Sequence, residues 1–112
     1  MDFNLTTYQS IIQQLFSSYI EFLGETNDIQ LETIIDSKNH HYLLVEVGWQ
    51  NGRRIYGTLL HIDIIDHKLW IQQDGTEEGI ADELVALGIP KQQIVLGFKP
   101  SDRRKVTEFA IS

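Results

Sequence analysis

The spacing of hydrophobic positions changes along the chain, and each change marks an element. Between Leu5 and Leu23, Tyr8, Ile11, Ile12, Leu15, Tyr19 and Phe22 recur at three- and four-residue intervals. That spacing predicts an amphipathic helix with its apolar stripe facing the core, and Gly24 is placed to cap its C-terminus. From Ile29 the period drops to two. Ile29 to Ile35 predicts a strand with Leu31 and Ile35 turned inward, and Asn51-Gly52 separates two further β-rich runs. Asn-Gly is the strongest short hairpin signal, because a type I′ turn needs positive φ at both central residues.

A two-residue turn sets the pairing. Gln50 then lies opposite Arg53, Val47 opposite Tyr56, Val45 opposite Thr58 and Leu43 opposite Leu60, with the apolar members on one face. A second turn at Asp66-His67 pairs Ile65 with Lys68, Ile64 with Leu69 and Ile62 with Ile71 on that same, core-directed face. His67 tolerates positive φ only modestly, so a looser turn is expected there. The second helix is expected over about Thr76 to Leu87. Asp74 or Thr76 is its N-cap, Glu77, Glu78, Asp82 and Glu83 complement its dipole, and Gly88 and Pro90 stop it. Ile94 to Phe98 reads as a short strand or a helical turn, and Val106 to Ile111 alternates weakly, as a closing strand would. The expected fold is therefore α+β: an N-terminal helix, a four-stranded antiparallel meander, a second helix and a short C-terminal strand.

On the opposite face this register sets Leu44 against Leu59, Tyr42 against His61, His40 against Asp63, and Asp63 against Trp70. Two large aromatics and two leucines are unusual on a sheet surface meant for water. Either the second helix or the C-terminal segment covers them, or a partner does. Tyr42, Leu44, Leu59, His61 and Trp70 are accordingly the expected partner interface.

Composition narrows the classes. The 112 residues, 42% of them hydrophobic, suit one domain over 1–112 and exclude wholesale disorder. Apolar runs reach only about five residues, as in Ile94 to Phe98, so no membrane span is expected. No secretory signal is read at the start, and cysteine is absent, so a cytoplasmic location is expected. The net charge of -7 disfavours autonomous nucleic-acid binding. Basic residues gather at Arg53-Arg54 and at Arg103-Arg104-Lys105, which offer weak phosphate contact at most.

Candidate chemistry is sparse. His61 and Asp63 share one side of a strand and His40 lies across from Asp63, a donor set that could hold zinc or another divalent ion. A cross-strand His–Asp hydrogen bond explains the same residues, and scattered ligands without an outer shell seldom suffice, so no metal or cofactor is expected. Trp49 opposite Arg54 reads as a cross-strand cation–π pair. No P-loop, G-x-G-x-x-G, H-E-x-x-H, EF-hand or G-x-S-x-G pattern occurs.

The segments Val47-Gly-Trp-Gln-Asn-Gly-Arg-Arg-Ile55, Leu60-His-Ile-Asp-Ile64 and Leu69-Trp-Ile-Gln-Gln-Asp-Gly-Thr-Glu-Glu-Gly-Ile-Ala-Asp-Glu-Leu84 closely resemble the fdxN-element excision controlling factors, the XisI family. So do Leu87-Gly-Ile-Pro-Lys91, Ile94-Val-Leu-Gly-Phe98 and Thr107-Glu-Phe-Ala-Ile111, so the resemblance runs from about Tyr8 to the end. The chain departs from the family at His67, where glycine is frequent, and at Ser101, where a second proline is frequent. The resemblance implies a non-enzymatic cyanobacterial accessory protein for site-specific excision of a DNA element. It also implies partners, either a nuclease-like XisH factor or the recombinase; a self-complementary apolar patch would instead give a two-fold homodimer. Two alternatives stay open: an antitoxin- or immunity-like binder that restrains a XisH-like nuclease, and a small metal-dependent enzyme using His61 and Asp63. The resemblance assigns no catalytic residues.

Overall fold

The computed structural model describes residues 5–23 and 28–112. Helix α1 spans Leu5–Leu23 and is followed by strands β1 (Ile29–Asp36), β2 (His41–Gln50), β3 (Arg53–Ile65) and β4 (Lys68–Asp74). Then come a short helix α2 (Ala81–Ala86), a 3-10 turn (Lys91–Gln93), strand β5 (Ile94–Leu96) and a single helical turn α3 (Ser101–Arg104). The strands form one five-stranded sheet in the order β1-β2-β3-β4-β5. The meander β1–β4 is antiparallel, as the turns require, whereas β5 runs parallel to β4 because α2 returns the chain to the same end of the sheet. Val106 to Ile111 contributes only one bridge, Ala110 to Val95. The expected cap at Gly24 lies outside the described residues.

The helix stripe behaves as its spacing dictates. Tyr8, Ile11, Ile12 and Leu15 are buried, and so is Phe16, which the stripe as read had left out. Phe22 is the exception at 79% exposure; it stands at the rim of a cleft near the end of α1. Against α1 lie Tyr42, Leu44, Leu60, Ile62, Leu69 and Ile71 from the sheet, Ile94 and Leu96 from β5, and Ile80, Leu84 and Ile89 around α2.

That list corrects the expected faces. Pairing follows the two-residue turn as far as Val45 opposite Thr58, and then slips by one residue between Leu44 and Val45. Leu44 pairs with Leu60, Leu43 with His61 and Tyr42 with Ile62, leaving Leu59 as the extra residue of a β-bulge. Because side chains alternate with period two, the slip puts Tyr42 and Leu44 on the same side as Leu60 and Ile62. Both are fully buried. Val45, Val47 and Tyr56 fall on the opposite face, with Tyr56 75% exposed.

Both hairpin turns are tight. Asn51 and Gly52 have φ of 52° and 77°, and Asp66 and His67 have φ of 50° and 64°. The second turn is thus not the looser one expected from histidine. Its left-handed backbone is held from outside, since Tyr8 Oη on α1 donates to the His67 carbonyl at 2.9 Å. The expected start of α2 also shifts. Asp74 Oδ1 accepts from the Thr76 amide and hydroxyl at 3.0 and 2.5 Å, and its Oδ2 accepts from the Ile80 amide at 2.8 Å. This capped loop, with Gly79 at φ 85°, takes up the residues before Ala81.

Two outcomes test this arrangement by chemical denaturation. Leu44→Ala should cost about 2–5 kcal/mol by emptying core volume, whereas Val47→Ala should cost well under half as much. His67→Gly should stabilise by roughly 0.5–1 kcal/mol, because glycine occupies positive φ without the Cβ penalty but loses more chain entropy.

Candidate functional site

Strand β2 places His41, Leu43, Val45, Val47 and Trp49 on the sheet face away from α1, a row roughly 26 Å long. Their partners there are Ile34, Glu32 and Gln30 from β1, and Asp63, His61, Thr58, Tyr56 and Arg54 from β3. Ile34 is 50% exposed and Trp49 56%, so this face presents apolar and aromatic surface. At its hairpin end the Arg54 guanidinium stacks on both Trp49 and Tyr56, 5.3 and 5.8 Å from the ring centroids. The cross-strand cation–π pair read from the sequence is present, and it includes a second ring.

At the other end of the row, the Leu59 bulge brings His41 opposite Asp63. His40, the residue expected there, instead belongs to the β1–β2 turn at φ 62°, with Nδ1 buried and unpartnered. His41 Nδ1 and His61 Nε2 each lie 2.7 Å from Asp63 Oδ1, and Gln72 Nε2 donates to Oδ2 at 3.3 Å. A second slip in register, between His61 and Ile62, makes Gln72 the extra residue on β4. The Asp63 side chain is 10% exposed, those of His61 and His41 29% and 48%. Among the described residues these three form the group of imidazole and carboxylate donors that converges within reach of one cation.

The other expected interface residues divide. Tyr42 and Leu44 are interior, so neither presents a partner surface, and Leu59 packs partly buried against the core while lining the cleft beside Phe22. His61 belongs to the carboxylate cluster. Trp70 shares the Asp63 side of the sheet, but Arg104 lies across its ring at 5.4 Å. Arg104 also donates to the Lys99 and Ile111 carbonyls at 3.0 and 2.7 Å, which ties down the C-terminal segment. Of the residues considered for phosphate contact, Arg54 and Arg104 are therefore engaged within the fold, while Arg53 on β3, and Arg103 and Lys105 at α3, are exposed. Sequence reasoning missed the open face because it assumed one register for the whole hairpin; the unbroken apolar alternation Leu43-Val45-Val47-Trp49 was its visible signal.

The hydrogen bond to Asp63, aided by the carboxylate charges of Asp63 and Asp36, raises the His41 pKa above its ordinary 6.5. A histidine raised in this way contributes stability that is fully present below 6.5 and is lost as pH climbs through the raised value. Thermal melts of the wild type and His41→Ala should therefore differ most below pH 6.5 and converge as pH climbs through the raised value. Since His41 is well exposed, the difference should be small.

The profile of the family described as XisI protein matches residues 1–111. No curated protein matches the chain. Among solved structures, the chain is similar to a XisI-like protein from Anabaena variabilis ATCC 29413, with 35% identity, a TM-score of 0.87, and 97% of this chain and 100% of that one covered. It is also similar to the fdxN element excision controlling factor XisI from the same organism, at 35% identity and a TM-score of 0.81, covering 96% and 98%. With the family profile spanning nearly every residue and the α+β fold shared along its length, the chain belongs to the XisI family.

Proposed function

We propose that this protein is a non-enzymatic accessory factor in site-specific excision of a DNA element, working by protein–protein contact through the open sheet face. One solved relative carries the name of an excision controlling factor. The observation that supports a contact role is the row Leu43, Val45, Val47 and Trp49 with Tyr56 and Ile34 beside it, which α1 leaves uncovered. Interface centres favour aromatic and arginine anchors set in apolar surface, and Trp49, Tyr56 and Arg54 supply them. The stacking of Arg54 over both rings orders this group before any partner arrives, which lowers the entropy lost on docking. The net charge of -7 argues against direct reading of DNA. The partner of first choice is a XisH-like nuclease-fold factor, with the recombinase as second.

Co-expression with a XisH-like factor, followed by size-exclusion chromatography, tests this reading. The two chains should co-elute, and Tyr56→Asp should weaken the complex by at least about 30-fold while leaving the fold intact. A complex indifferent to Tyr56→Asp and Val47→Asp would remove the open face from the mechanism. Nanomolar, sequence-dependent binding to element-border DNA by the protein alone would replace contact with partners as the leading function.

A further inference from the structure

We propose that His41, His61 and Asp63 form a binding site for one divalent transition-metal ion of the zinc class. The three side chains come from adjacent strands and point to one face, because the Leu59 bulge sets His41 opposite Asp63 while Leu43 pairs with His61. Both imidazoles aim a nitrogen at the same carboxylate oxygen, and the three donor atoms lie within 4.8 Å of one another. The rings stand 6.1 Å apart at 76°, so they approach that oxygen from different directions instead of stacking.

The chemistry of the donors favours an ion there. Asp63 is 7% exposed, and its side-chain partners are two imidazoles and an amide, with no lysine or arginine among them. A buried carboxylate with no lysine or arginine against it is a favourable place for a cation, and the net charge of -7 adds to the attraction. Two nitrogens and one oxygen form the donor set that zinc and its neighbours accept. A tetrahedral ion needs donor separations of roughly 3.3 Å, which lies between the 2.7 Å of each N···O pair and the 4.8 Å that bounds the whole group, and both rings are partly in solvent. The ion occupies the place of the two N–H hydrogens, so each imidazole binds as the tautomer protonated on its far nitrogen.

The Gln72 amide, carried to Asp63 by the second bulge, supplies the outer-shell contact that the sequence did not reveal. By holding Oδ2 it leaves Oδ1 for the ion. Three protein donors leave a position of the coordination sphere open, and the half-exposed His41 turns it toward solvent on the open face, where water or a donor from a bound molecule completes it.

Calorimetric titration of the full chain with zinc chloride tests the site, with cobalt(II) chloride as a spectroscopic probe. The expected result is one ion per chain, visible d–d absorption on adding cobalt, and a zinc-dependent rise in melting temperature. His41→Ala and His61→Ala should each weaken binding at least about 30-fold and abolish the thermal shift. His67→Asn, at an exposed histidine of the second hairpin turn, should bind as the wild type does. His41 is exposed enough that its alanine variant should fold, so it decides the matter even if Asp63→Asn does not fold. No saturable binding, or binding that both histidine variants retain, overturns the proposal.

Discussion

One extra residue, Leu59, controls how the rest of this structure is arranged. Without it, the type I′ turn at Asn51-Gly52 would impose a single register from the hairpin tip to the β1–β2 turn, and Leu43 would face Leu60. With it, β3 gains one residue on β2 midway, and every pair beyond changes partner. The core then recruits Tyr42, Leu44, Leu60 and Ile62, which α1 covers with Tyr8, Ile12, Leu15 and Phe16. The reason the bulge prevails is the burial it permits. In the unslipped register, Tyr42 and Leu44 would share a face with His61 and Asp63, and Leu60 and Ile62 could not pack beside them.

The consequences reach the polar groups as well. The same slip that buries Tyr42 delivers His41 to Asp63, and a second bulge at Gln72 brings an amide to the other carboxylate oxygen. Bulges commonly re-aim side chains near functional surfaces, and here two of them converge on one carboxylate. Around the edges, single side chains hold the remaining segments in place. Asp74 caps the loop before α2, Tyr8 holds the His67 turn, and Arg104 bridges Trp70, Lys99 and Ile111. That last set closes the β4–β5 edge and leaves the β1–β3 half of the face open.

The open face combines two chemistries along one strand. Toward the hairpin tip it is aromatic, with a cation laid over Trp49 and Tyr56; toward the other end it is a carboxylate between imidazoles. Leu43, Val45 and Val47 join them. A partner that covered the apolar middle would also lie beside the histidines, so contact and coordination could be linked without any long-range change in the protein.

Local information along the chain determined the element types and their order. Period-two and three-to-four spacings give α1 and the four meander strands, and two turn dipeptides give the hairpins and their first pairs, since these depend on neighbours in sequence. Family membership was legible as well, through the ordered segments from Val47 to Ile111. What the tertiary structure decided was which face is interior. Alternation is symmetric: Val45-Val47 and Tyr42-Leu44 both look like core, and only the packing of α1 selects between them. Leu59 and Gln72 carry no bulge signature, so the change of register, the replacement of His40 by His41 beside Asp63, and the exposure of Tyr56 all follow from long-range packing that no window of sequence contains.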